Sequence, residues 1–313
     1  VNSEPEGEQP WHSFESIERY ESLFPLLPDF VAHYTIGGKR LPRIGLAGRL
    51  DLQFRRILLA ALLAGRMQIG LSYAEKRYAK DALETRWLGL TERIDRLYGE
   101  GQKYLNQYLS LGKEQVKDAD DTSQDNLSWQ FFFRTMGSLD ASKRLSELGY
   151  LCEVATILRS ALEQFAFCAK LLSLKESEDV KAIRPIHCLN HFKKFVPASG
   201  QLYGVLSKYT HFEFDHHTHF FTYSSTEINT IQRGAVLRAY ATQLLFLTMA
   251  CVGKYILVAS STQFKEVPRP VSEIQTFLTA VDSFSNEVCE ILPLDEVLAK
   301  MDILLQDILR KQP

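Results

Sequence analysis

Helical periodicity in the chain is clearest at Leu151–Leu172, where Leu151, Ala155, Leu158, Leu162, Phe165, Ala169 and Leu172 recur at alternating steps of four and three residues. Steps of that size keep one face of an α-helix turned toward the same neighbour. Only Glu153, Arg159, Glu163 and Lys170 are charged in this segment, so most of its circumference is expected to be packed. The spacing predicts the most buried helix of the protein here, within a longer helix from about Ser142 to Leu174. A second apolar stretch, Leu244–Ala259, is interrupted by Gly253 and Lys254. A membrane span needs roughly 20 mainly apolar residues, so this stretch reads as a buried core helix within a longer one from about Thr226 to Thr262.

Other elements follow from breakers and periodicity. A short helix is expected over Ser13–Phe24, closed by Pro25 and Pro28, and one or two long amphipathic helices over Leu46–Leu111 with a break near Gly70 or Gly89. An aromatic-rich helix holds Trp129–Phe133. Shorter helices are expected over Ile186–Val196, before Pro197, and over Gln201–His211, and terminal helices should follow Pro268 and Pro270 as far as Arg310. Val31–Ile44, with Gly37-Gly38 between short apolar runs, reads as a small hairpin or an extended crossing loop. Alternating β-branched runs are few, and the sum is an all-α helical bundle with long central helices and an N-terminal helical extension.

The polarity of the connecting segments suggests how the chain is organised. Residues 1–10 form an acidic leader expected to be disordered, and 11–112 a helical region that turns basic from residue 39. Residues 113–126, with Glu114, Lys117, Asp118, Asp120, Asp121 and Asp125, look like a solvated linker, and 127–313 should form the C-terminal bundle.

Composition removes whole classes. With 313 residues, 45% of them hydrophobic, the chain can bury a substantial core and is neither a disordered tail nor a disulfide-stapled miniature. Its five cysteines, Cys152, Cys168, Cys188, Cys251 and Cys289, are widely spaced and lack any CxxC, which suits buried thiols in a reducing compartment. The acidic, polar start is unlike a secretory signal, so a cytoplasmic location without a membrane is expected. The net charge of −2 conceals an asymmetry: residues 1–38 hold seven acids and one base, whereas residues 39–110 hold fourteen bases and seven acids. The acidic leader could cover the basic surface as a polyanion mimic, or both could be solvated faces. Within the basic region Arg55, Arg56, Lys76 and Arg77 are the candidate RNA-binding residues.

Candidate chemistry gathers in the C-terminal half. Arg159 and Glu163 lie four residues apart on the apolar helix and can pair on one face. Tyr203, Ser207 and His211 follow at i, i+4 and i+8, a polar stripe of two hydroxyls and an imidazole. Downstream, His211, Glu213, Asp215, His216, His217 and His219 crowd one segment, where a divalent ion is chemically feasible. The helix-spaced pair His187 and His191 has no carboxylate closely trailing it, so no metal is expected. Gly37-Gly38-Lys39 lacks the first glycine and trailing Ser/Thr of a phosphate-binding loop, and no cofactor motif is present.

The two motifs together, Arg159-x-x-x-Glu163 and Tyr203-x-x-x-Ser207-x-x-x-His211, resemble those of bacterial all-helical proteins similar in style to the HEPN superfamily of helical ribonucleases and toxin-type effectors. The resemblance extends at most over Ser142–Tyr255. That superfamily's own pattern, an arginine followed after four to six residues by a histidine, occurs as Arg184…His191, with Pro185 where a polar residue commonly stands. The resemblance implies metal-independent RNA cleavage in defence or as a toxin, on a homodimer, with an antitoxin or other protein partner. Arg159, Glu163, Ser207 and His211 would be catalytic, with Arg184 and His191 the alternative pair. His211 or His191 would be the acid or base, and Arg159 or Arg184 would clamp the phosphate. The competing reading is a non-catalytic helical interaction or scaffold protein in which Arg159 and Glu163 are a structural pair.

Overall fold

Gly149 decides how the first central helices are cut. Its φ of 75° lies in the left-handed region, where a side chain is strained. Tyr150 N–H bonds back to the Leu145 carbonyl at 3.1 Å and Gly149 N–H to Ser146 at 3.1 Å, the paired bonds of a Schellman helix end. The continuous helix expected over 142–174 is therefore two helices, α3 (Gln124–Glu147) and α4 (Leu151–Leu171), folded against each other. Both sides of the turn are good helix sequence, and one glycine overrides them.

The computed structural model describes residues 71–79, 89–115, 124–174, 183–211, 235–263, 270–291 and 296–310, two short strand pairs, and single positions at 87, 180 and between 57 and 70. The expected helix at 13–24 and the leader lie outside the described residues. The fold is all-α. The chain divides into two compact units, Val1–Lys80 and Asp81–Pro313.

In the first unit Thr35–Ile36 (β1) pairs antiparallel with Lys39–Arg40 (β2) around Gly37-Gly38, the hairpin alternative of the two expected. A helical stretch ends where Gln68 takes a φ of 53° and Ile69 N–H reaches the Ala64 carbonyl. After Gly70 a new turn begins, α1 (Leu71–Ala74), continuing as one π-type stretch over Glu75–Ala79. The chain breaks at the first of the two glycines considered and again beside the second, where Leu90 N–H turns back to the Trp87 carbonyl at 2.9 Å and a new helix starts at Thr91.

In the second unit the helices are α2 (Thr91–Gln115), α3, α4, α5 (Pro185–Phe192), α6 (Ser199–Thr210), α7 (Ala235–Gln263), α8 (Val271–Ile291) and α9 (Glu296–Leu309). Thr222–Ser224 (β3) pairs with Glu227–Asn229 (β4) antiparallel, so the helix expected from Thr226 begins only at Ala235. Thr222, Tyr223 and Ile228, residue types enriched in strands, sit in that ladder, with Tyr223 opposite Ile228.

α7 is the core. From Ala239 to Gly253 every residue is buried, whereas α4 leaves Glu153, Thr156 and Ser160 exposed. The most buried helix is thus α7, not the segment 151–172. Periodicity singled out α4 because it has a polar side to contrast with; a helix enclosed on all sides shows none. Val236–Ala259 is also the one stretch among the described residues long and apolar enough to cross a membrane, and 83% of its most apolar window is buried inside the protein.

The division expected at 113–126 is not where the chain separates. α2 runs on to Gln115, α3 begins at Gln124, and across the gap Tyr108 meets Trp129 and Phe132 at ring distances of 5.2 and 5.5 Å. The run of rings continues through Phe165 of α4 to Phe192 of α5 and Tyr255 of α7. The charged sequence between α2 and α3 does not mean a loss of contact between the two helices. On the outer side of the same pair, Lys143 is almost enclosed. Burial alone would push its ammonium down, but hydrogen bonds to Asp95 at 2.6 Å and to Glu147 hold it above its ordinary value.

Candidate functional site

α6 lies on α4 through Leu202, Leu206 and Tyr209, all buried, and α4 answers with Leu158 and Leu162, which have no solvent exposure. Arg159 and Glu163 flank those leucines, so the joint's rim brings them to the next face of α6. That face carries Tyr203, then Ser207, then His211, which closes the helix in an extended conformation with its N–H on the Ser207 carbonyl at 2.8 Å.

Tyr203 is the hub. Its hydroxyl accepts from Arg159 Nε at 3.1 Å and Nη2 at 2.9 Å, and donates to Glu163 Oε1 at 2.7 Å. One proton and two lone pairs are a phenol's whole capacity, so this oxygen is fully used. The guanidinium carbon also sits 5.0 Å from the centre of the Tyr203 ring, an attractive cation–π distance. Arg159 Nε and Glu163 Oε1 stand 3.4 Å apart, with 22% and 27% of their side chains exposed. Partial burial, reinforced by the bond to Glu163, holds the Tyr203 phenol above its ordinary value, and Arg159 pulls the other way.

Arg159 Nη1 reaches His211 Nε2 at 2.9 Å, joining side chains 52 positions apart in the chain. A guanidinium only donates, so Nε2 is the acceptor and the ring proton sits on Nδ1. Of the four residues expected to cluster, Arg159, Glu163 and His211 meet. Ser207 does not: its Oγ is buried without a partner among the described residues. A serine hydroxyl is too short to cross from α6 to the Arg159 guanidinium, and the tyrosine one turn earlier spans the gap instead. Tyr203 heads the same i, i+4, i+8 stripe, so the signal for it was present in the sequence.

The alternative pair is not assembled. Arg184 precedes α5 with its side chain exposed, and His191 lies in the last turn of that helix, about 10 Å further along the axis. His191 packs edge-on against Phe195 at 5.3 Å, and its Nε2 is buried with no partner among the described residues. Burial first, then the positive charges of Lys170 and Lys194, hold its imidazole below the ordinary value. Lys76 and Arg77 are exposed on the π-type turn of the first unit, and Arg55 and Arg56 lie outside the described residues.

Among the described residues no group of three His, Cys, Asp or Glu side chains converges as a metal site would require, and the histidine-rich segment beyond His211 lies outside them. All five cysteines are free thiols. Burial pushes the Cys152 and Cys188 thiols up to about 11, and Cys168, Cys251 and Cys289 upward as well, so none is activated as a nucleophile.

Comparison of the chain with protein-family models, curated proteins and solved structures finds no match. The functional reading is therefore carried by the geometry of the chain's own residues.

Proposed function

We propose that the chain is a metal-independent endoribonuclease of the HEPN kind, acting at Arg159 and His211. The observation that carries the reading is the 2.9 Å contact between Arg159 Nη1 and His211 Nε2, a cation and an acid–base group held together at an accessible helix end. In the reaction, His211 Nε2 takes the 2′-hydroxyl proton, the 2′-oxygen bonds to phosphorus, and the bond from phosphorus to the 5′-oxygen breaks, with that oxygen taking a proton from water. Arg159 balances the charge that builds on the phosphoryl oxygens, while Tyr203 and Glu163 keep it in place. The basic balance of residues 39–110, with Arg55, Arg56, Lys76 and Arg77, supplies the sequence-independent attraction to RNA. The same resemblance brings a homodimer, a cytoplasmic setting, an antitoxin or other protein partner, and a role in bacterial defence or toxicity.

The test is RNA cleavage and thermal melting measured side by side on wild type, His211→Ala and Arg159→Ala. The proposal expects a folded His211→Ala protein without cleavage. A folded variant that still cuts RNA removes this histidine from the mechanism.

A second reading, a non-catalytic interaction protein, is favoured by the saturated Tyr203 hydroxyl, which makes the cluster a complete structural tie between α4 and α6. It expects no cleavage by any variant and a lowered melting temperature for Tyr203→Phe.

A further inference from the structure

The three nitrogens of Arg159 are not equally committed. The Nε–Nη2 edge faces Tyr203, and through that hydroxyl it is tied to Glu163. Nη1 is the remaining corner, and its partner is the imidazole of an exposed residue at the very end of α6. In this arrangement the Nε2 lone pair, the one a general base would use, is occupied. The site as it stands is complete but idle.

We infer that His211 is parked on Arg159 in the free protein and is released by the substrate itself: a phosphate-ester oxyanion takes over the Nη1 N–H, and the Nε2 lone pair becomes available beside the bound phosphate. This deepens the ribonuclease reading and rests on it. The ligand class follows from the exchange of acceptors. A neutral imidazole offers Nη1 one lone pair. A phosphate oxygen offers a negative charge, and the two oxygens of one phosphate match the Nη1–Nη2 end of a guanidinium, whose second N–H groups have no other partner among the described residues. Arg159 is ionised with either partner, but only the phosphate adds an opposite charge and a second oxygen for a bidentate pair, so the anion wins the corner.

The fold makes the exchange inexpensive in structure. His211 follows the last helical residue with φ −98° and ψ 101°, so its ring can turn away without disturbing the buried Leu206 and Tyr209. Arg159 cannot follow it, because Tyr203 holds two of its nitrogens and stacks beneath it. One partner is fixed and the other is free to move. The arrangement also prevents the base from working on water alone, since the lone pair is exposed only when an oxyanion occupies the site.

The experiment reads the His211 ring directly, by two-bond nitrogen–proton NMR on the full chain at one neutral pH. In buffer without oxyanions the ring is expected as the Nδ1–H form with Nε2 as acceptor. Titration with inorganic phosphate should move the Nε2 resonance downfield, as that nitrogen loses the Arg159 N–H and its lone pair is freed. In Arg159→Gln the same titration should need about tenfold more phosphate, the loss of one charge-assisted hydrogen bond. Tyr203→Phe, which keeps the ring and removes only the hydroxyl, should weaken the response in the same direction. An Nε2–H ring in the free protein, or a ring indifferent to saturating phosphate, overturns the inference. RNA cleavage on the same sample separates the two levels. A phosphate-responsive His211 in a protein that cuts no RNA keeps the oxyanion site and discards the ribonuclease; cleavage with an indifferent ring discards the parking contact and keeps the ribonuclease.

Discussion

Gly112 of α2 lies flat against the Trp129 indole of α3, with no room between them for even a Cβ. The two residues stand on either side of the connection at 116–123, and their contact adds a close backbone approach to the ring and ion-pair contacts that join α2 and α3. A hydrogen in place of a methyl lets the helix backbone come down onto the ring.

Gly112→Ala should therefore destabilise the protein by about 1–3 kcal/mol, even though alanine is intrinsically about 1 kcal/mol the better helix former. Chemical denaturation of wild type and variant decides the sign. A stabilised Gly112→Ala protein would mean that the helices do not meet here.

The joint that carries the cluster depends on Leu158 and Leu162, neither of which has any solvent exposure. Truncating either to Ala leaves a cavity between α4 and its neighbours, and should cost about 2–5 kcal/mol. Melts indistinguishable from wild type would contradict the packing of α4.

How much of this was legible in the sequence differs by feature. The all-α class was, because apolar spacing, proline stops and the scarcity of β-branched alternation agree. The pairing of Arg159 with Glu163 was too, since four residues on a helix allow little else. That α7 is a buried core helix was legible, but its rank above α4 was not: Gly253 and Lys254 look like interruptions, whereas at Gly253 a Cβ would stand 3.2 Å from Tyr104 Oη and 3.1 Å from Ile274. That hydroxyl in turn donates to the Met249 carbonyl at 2.6 Å. Such reasons live in a neighbouring helix, and a one-dimensional pattern does not carry them. The same holds for Tyr203 and Ser207, which share a stripe and differ only in reach.

His191 gives a prediction in pH. Its imidazole is held below the ordinary 6.5 by burial, Lys170 and Lys194, so the folded protein disfavours the charged ring. Above pH about 6.5 the ring is neutral in both states and this penalty is absent. As pH falls through that value the unfolded chain takes up a proton first, and stability declines until the folded ring titrates as well. His191→Phe should flatten this part of the stability–pH curve relative to wild type, measured by urea denaturation at several pH values; an unchanged slope would assign the decline to other groups.

Gln243 is the oddity of the α7 surface. It lines a cavity of about 10 Å³ with Phe246, Val281, Phe284, Met301 and Leu305, between α7, α8 and α9. Neither its Nε2 nor its Oε1 has a partner among the described residues. That volume holds about one water molecule, which cannot fully satisfy both ends of an amide. Gln243→Met, similar in size and without polar hydrogens, should raise stability by about 1–3 kcal/mol. Calorimetry checks it, and a lowered melting temperature would show that the amide is better satisfied than its surroundings suggest.

The helix that completes the core comes late in the chain. α2, α3, α4 and α6 all rest on α7, which begins at Ala235. Those four helices are made before α7, with apolar faces turned toward a partner that does not yet exist. Folding to the final state must wait until α7 has been translated. During that interval the nascent chain depends on provisional helix pairs such as α3 with α4, or on chaperones, to keep its leucine and phenylalanine surfaces from finding other chains.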